Sequence, residues 1–163
     1  MKTLLALPAA LCLALLFAGC PYLSSVAIDK PSIPINPKWL GMWDEQKDHD
    51  IYRVTKQDDF TYHVEVTKHM NSSKIDKHRA YASVINGTTF LNEWNDENPT
   101  STTKFALIKI EQVQNDRIEL SPVTENIRET FASSDDLKKF IIANMKISYF
   151  FDRPMVLVRT WEK

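Results

Sequence analysis

The chain has 163 residues, 20 Lys and Arg against 21 Asp and Glu, a formal net charge of −1, and 44% hydrophobic residues, which is enough for a hydrophobic core in one modest domain. A near-neutral balance with no concentrated basic stretch excludes a nucleic-acid-binding surface, since such binding rests on clustered positive charge. The densest positive segment, Lys74-Ile75-Asp76-Lys77-His78-Arg79, reads as a solvated loop leading into a strand.

In chain order, the first element is an export signal. Lys2 supplies a positive start, residues 4–17 are an apolar run, and the small residues Ala18 and Gly19 mark a cleavage point. The run is too short for a transmembrane helix, which needs roughly 20 apolar residues, and Pro21 ends it. Phe17-Ala18-Gly19-Cys20 resembles the lipobox of bacterial lipoproteins. That resemblance implies removal of residues 1–19, acylation of Cys20, and a protein held on a membrane without crossing it. Cys12 would leave with the signal and Cys20 would be modified, so no disulfide within the mature chain is expected, and loss of Lys2 takes the charge from −1 to about −2. Pro21 stands where some enterobacterial lipoproteins carry an Asp that retains them at the inner membrane. The resemblance therefore favours an outer membrane, with the domain facing the periplasm.

Residues 20–38 read as a lipidated Cys followed by a Pro-rich tether, because four of the eight prolines fall at 21, 31, 34 and 37. Proline fixes φ and removes a donor, and an extended segment of this length at about 3.1 Å per residue reaches at most roughly 50 Å. A single domain is expected over 39–163.

Within it the dominant period is two. Tyr62, Val64 and Val66 alternate with His63 and Glu65, the pattern of an antiparallel strand with one buried face. Further strands are expected at about 50–56, 79–85, 88–94, 104–113, 117–122 and 154–161. Asn86-Gly87 between two apolar runs predicts a type I′ hairpin, and Asp58-Asp59 and Asn115-Asp116 are expected to turn neighbouring pairs. Residues 95–103, polar and containing Pro99, read as the longest exposed loop. Ser133-Ser134-Asp135-Asp136 before Leu137, Phe140 and Ile141 predicts a short helix around 135–144. Another helical turn is conceivable within 124–131.

Gly41-Met42-Trp43, entering the first strand of the domain, resembles the Gly-x-Trp at the same place in lipocalins. There the Trp closes one end of an eight-stranded barrel and a late basic side chain packs on it, a role for which Arg159 is the candidate here. A Trp buried in another β-sandwich or half-barrel is the alternative. The chain is also similar to a group of uncharacterised bacterial lipoproteins with a lipocalin-like domain, through Leu40-Gly41-Met42-Trp43, Asp58-Asp59-x-Thr61-Tyr62, Ile85-Asn86-Gly87 with Phe90-Leu91, the strand 105–111 and Leu137-Lys138-Lys139-Phe140-Ile141. That resemblance implies a mainly β, antiparallel lipocalin-like barrel or half-barrel of about eight strands, with one short helix before the last. It brings no catalytic residues.

No catalytic constellation is legible. The mature chain offers no free Cys and no Gly-x-Ser-x-Gly elbow. His49, His63, His69 and His78 do not follow a zinc spacing, and Asp48-His49-Asp50 and Asp96-Glu97-Asn98 lack the calcium-loop pattern. The expectation is therefore a non-enzyme without metal or cofactor. Binding is the class that fits a barrel, whose interior either fills with side chains or holds a small ligand. Tyr52, Tyr62, Tyr81, Phe90, Trp94, Phe105 and Phe150 are the large inward candidates, as ligand walls or simply as core. Two functions stay open: a module for a small apolar or amphipathic ligand, or an envelope interaction protein with a solid core, using outward aromatics such as Trp94 and Trp161 or the loop 95–103.

Overall fold

A computed structural model describes residues 21–96 and 104–161. The lipobox with Cys20 and most of the loop 95–103 lie outside them. The strands are β1 (Leu23–Ser24), β2 (Gly41–Glu45), β3 (Ile51–Lys56), β4 (Thr61–Thr67), β5 (Ile75–Ile85), β6 (Thr88–Asn95), β7 (Phe105–Gln114), β8 (Arg117–Pro122) and β9 (Met155–Thr160). Helix α1 (Ser134–Asn144) precedes β9, and short 3-10 turns occupy Pro37–Trp39 and His69–Asn71. No helix among the described residues is long and apolar enough to cross a membrane.

Strands β2 to β9 close into an antiparallel eight-stranded barrel. Each pairs with the next, β9 returns to β2 through Trp43↔Arg159 and Glu45↔Leu157, and β7 with β8 completes the ring. Closure removes the exposed strand edges that an open sheet would carry. A register shift between Ile110 and Gln112 bends β7 where it must curve round the barrel. The hairpins are made by the residues expected: Asn86 and Gly87 both have positive φ, 49° and 78°, as a type I′ turn requires. The Asp58 carboxylate accepts from the amides of Phe60 and Thr61, both at 2.8 Å, which holds its pKa below the usual value and fixes the β3–β4 turn.

Helix α1 begins where Ser133 accepts from the Asp136 amide, with Asp135 and Asp136 in the first turn. Its buried residues Leu137 and Ile141 pack on the outside of the barrel. The stretch 124–131 forms a turn and irregular chain rather than a second helical element.

Two expectations need correction. Residues 21–38 do not stand away as a tether. Pro21 bridges to Thr124, β1 pairs with the start of β7 through Leu23↔Ala106, and Ile28 is fully buried with its amide donating to Asn92 Oδ1 at 2.7 Å. The segment bends repeatedly between Ser25 and Ile33, and Tyr22, Val26 and Ile28 supply an apolar face that packs onto the sheet. Further on, Ile35 donates to Asp59 O and the Pro37–Trp39 turn covers one end of the barrel.

The second concerns direction. Of the seven aromatic residues expected inside, only Tyr52 and Tyr62 line the interior. Phe90 and Phe150 belong to a second core outside the barrel, Phe105 packs against that core, and Tyr81 and Trp94 sit on the same outer face. Strands β5 to β7 are covered on both faces, so their apolar residues do not alternate with polar ones, and alternation alone cannot assign a side. Trp94 accordingly meets Tyr81 and Phe105 edge-to-face, at 5.8 and 5.9 Å between centroids, instead of offering a free surface.

Candidate functional site

The barrel interior is bounded at one end by a plug. Trp43 is 1% exposed, and its indole N–H donates to Trp39 O at 3.0 Å. Trp39 in turn stacks on Tyr62, 5.6 Å between centroids, and the Tyr62 hydroxyl accepts from the Asn36 amide. Arg159 lies over the Trp43 ring with Cζ 4.2 Å from its centroid, while its guanidinium donates to Leu40 O and Lys38 O at 3.0 and 2.7 Å. One side chain thus joins the last strand to the plug, combining a cation–π contact with hydrogen bonds to backbone carbonyls. Gly41 is required for this closeness: its φ is 126°, and a Cβ there would stand 2.6 Å from Arg159 Nη1.

Above the plug the walls are apolar. Trp43, Ile108, Ile118, Leu120 and Leu157 form the buried inner cluster, with Tyr52, Val54, Leu91 and Met155 packed against it. They enclose a cavity of about 70 Å³. This is roughly half the 150 Å³ that holds benzene in an engineered apolar cavity and well below the 300–1,000 Å³ of drug-sized sites. The space admits a slender apolar group. At the far end, the Tyr52 hydroxyl meets Met155 Sδ at 3.5 Å, and methionine is the wall residue best able to move aside.

Polar atoms enter this lining at its two ends. Trp39 borders the cavity with a buried indole N–H that has no hydrogen-bond partner among the described residues. A buried unpaired donor is costly and rare. Opposite, Glu93 lines the cavity and its Oε1 lies 2.9 Å from His78 Nδ1. That hydrogen bond, opposed by burial and reinforced by the charges of Glu93 and Asp76, raises the His78 pKa above its ordinary value. Burial, with the charges of Glu93, Asp50, Glu45 and Asp48 adding to it, pushes the Tyr52 phenol up as well. The end of the barrel away from the plug is therefore ringed by carboxylates. Several are already engaged: Asp50 holds Lys68 at 2.8 Å, and Glu45 accepts from the Lys47 and Asp48 amides.

The histidines do not gather. His63 pairs with Arg79 in register while His78 pairs with Val64, so the two rings point to opposite faces of the sheet. His49 contacts Asp44 at 3.2 Å and lies edge-on to the His69 ring, 6.1 Å between centroids. Among the described residues no group of three or more His, Cys, Asp or Glu is placed to hold a metal ion. Trp161 is 77% exposed and borders an open groove of about 450 Å³ with Leu40, Met42, Arg53 and Lys56. The Glu93–His78 pair was missed in the sequence. Its signal is weak: two ionisable residues at inward positions of adjacent strands, visible only once the register is known.

The geometry describes a lipocalin-like barrel with a sealed end, a narrow apolar interior and an acidic far end. No family model matches the chain, and no match is found among curated proteins or solved structures.

Proposed function

We propose that this is a lipid-anchored cell-envelope protein, attached through Cys20 and facing the periplasm from the outer membrane, whose barrel binds a slender apolar or amphipathic ligand without chemical conversion. The observation that carries the ligand is the cavity itself: apolar along its walls, with the unpaired Trp39 N–H at one end and the Glu93–His78 pair at the other. An apolar chain fits the walls, and a polar group can be oriented at either end. The anchor rests on the resemblance of Phe17-Ala18-Gly19-Cys20 to a lipobox.

Native mass spectrometry of the full chain extracted from its own host tests the ligand directly. A retained small molecule is expected, and Ala80→Leu, which fills the wall at a cavity-lining position, should release it. A protein recovered empty, with a thermal midpoint unmoved by extracted envelope lipids, would refute ligand binding. Cys20→Ala should move the protein from the membrane to the soluble fraction; unchanged retention would refute the anchor.

The small cavity volume favours a second reading: a filled barrel acting as an envelope interaction protein through the Trp161 groove. Cross-linking from that groove in intact cells distinguishes it, because Trp161→Ala should then abolish a specific protein adduct.

A further inference from the structure

The place where the chain leaves the domain is informative. Strands alternate in direction, so the last residues of β2, β4, β6 and β8 and the first residues of β3, β5, β7 and β9 ring the end of the barrel opposite the Trp39–Trp43 plug. β1 pairs with Phe105 and Ala106, the first two residues of β7. Pro21 bridges Thr124, just beyond the end of β8 at Pro122. The amino-terminal end of the described chain therefore meets the rim of the barrel mouth. No spacer separates it from the fold: Tyr22 is buried, its amide donates to Val123 O at 2.9 Å and its hydroxyl to Glu129 O at 2.8 Å.

Cys20 is the next residue, and successive Cα atoms are about 3.8 Å apart. Acyl chains on its sulfur would enter the bilayer there, so Pro21 would lie at the level of the headgroups. A domain held at one point could still tilt. Exposed apolar residues lie at both ends of the barrel, with Phe60, Val84, Val113 and Trp161 at the plugged one, but the chain exit sets the mouth beside the anchor. Leu23, next to the exit, is half exposed, and Tyr149 beside Phe150, whose carbonyl accepts from the Thr124 amide, is 71% exposed. On the other side of the mouth, the β4–β5 connection carries Met70, 94% exposed at the tip of the His69–Asn71 turn, and Ile75 follows it, also exposed. Both sets belong to segments at the mouth end of the strands.

We propose that the mouth of the barrel rests on the bilayer that holds the Cys20 lipid, with Leu23 and Met70 as apolar contacts on either side, so that the ligand is an amphiphile taken from that leaflet. This rests on the lipoprotein reading above and adds to it an orientation and a source of ligand. The contact combines apolar residues with cations: Lys68 and Lys74 are held by Asp50 and Asp76, while Lys104 before β7 and Arg153 before β9 are exposed with no ion pair among the described residues. Raised salt should therefore weaken it in part without abolishing it.

The test uses the full lipidated chain carrying Met70→Cys, reconstituted in phosphatidylethanolamine–phosphatidylglycerol vesicles. After signal removal and acylation of Cys20, neither native cysteine offers a free thiol, so a polarity-sensitive fluorophore labels position 70 alone. Val113→Cys, near the plugged end on β7, is the comparison. The expected result is a blue-shifted probe at 70, quenched several-fold more strongly by nitroxide lipids than the probe at 113. A flexible Gly-Ser insertion between Cys20 and Pro21 should shrink the difference. Mass spectrometry of Cys20 separates the two failures. Acylated Cys20 with equal quenching at 70 and 113 would overturn the apposition while leaving the anchor intact. An unmodified Cys20 would overturn the anchor and, with it, the apposition.

Discussion

The same three strands, β5 to β7, build two cores of different character. Their inward side contributes Ala80, Leu91 and Ile108 to the barrel, where a carboxylate and a cavity remain. Their outward side contributes Ile85, Phe90 and Leu107 to an apolar core capped by α1, the 21–28 segment and Phe150. The outer core also satisfies its buried polar groups, since Asn92 accepts from Ile28 and donates to Ser83 Oγ and Tyr81 O. An eight-stranded barrel of this size need not fill its interior when the outside of the sheet supplies a core of its own. The division leaves the inner core room for a ligand that the outer one lacks.

The sharpest way to break this comparison is to remove one large ring from each core. Trp43→Ala and Phe90→Ala should each cost roughly 3–5 kcal/mol, measured by urea unfolding. Both residues are essentially inaccessible to solvent, at 1% and 0%. The losses should differ in kind. Trp43→Ala also detaches Arg159 from its ring partner, and a Trp43/Arg159 double-mutant cycle should give a coupling of about 0.5–2 kcal/mol. A coupling near zero would leave the barrel intact and reduce Arg159 to a backbone staple. Asn92→Ala comes next. It strands the Ile28 amide in a buried site and should cost about 1–3 kcal/mol, loosening the 21–28 segment in hydrogen exchange before the barrel strands.

These residues also show how far the sequence could be read. The barrel was legible because the Gly-x-Trp, the two-residue turns and the alternation of β4 are local signals, each with its own stereochemical cause. The outer core was not. Phe90, Asn92 and Trp94 share one face of β6, and Leu91 and Glu93 share the other, so both faces look mixed. Which face turns inward depends on what covers the sheet, and the cover comes from residues 21–28 and α1, far apart in the chain. The 21–38 segment misled for a related reason. Proline content reports backbone geometry, whereas docking depends on the apolar residues between the prolines.

Spare volume gives a gentler comparison. Ala80→Val adds methyl groups toward the inner cavity and should stabilise by up to about 1 kcal/mol, as cavity filling commonly does. An equivalent enlargement on the other face, Ser83→Val, must fit a site 2% exposed and loses the Asn92 hydrogen bond, so about 1–3 kcal/mol of destabilisation is expected. Equal penalties at the two positions would mean that the inner space is not available to side chains, and the ligand reading would lose its basis.

The smallest effect distinguishes the cores by pH. The inner wall carries the pair His78 with Glu93, and the His78 pKa is raised first by that hydrogen bond, with the Glu93 and Asp76 charges helping and burial and Lys68 opposing. A group whose folded pKa lies above its unfolded value of about 6.5 contributes its full stabilisation below that value. The contribution is lost as pH rises through the folded pKa. The urea midpoint should therefore fall modestly from slightly acidic to slightly alkaline pH, and His78→Gln should flatten that slope. The carboxylates of Asp50, Asp58 and Asp76 act in the opposite sense, because their lowered pKa values favour folding above the usual carboxylate range and that contribution disappears only in stronger acid. The two windows do not overlap. If a ligand's cationic or hydrogen-bonding group displaces His78 from Glu93, bound protein should lose the neutral-pH slope while keeping the acid one, whereas a slope unchanged by ligand would place the polar group at Trp39 instead.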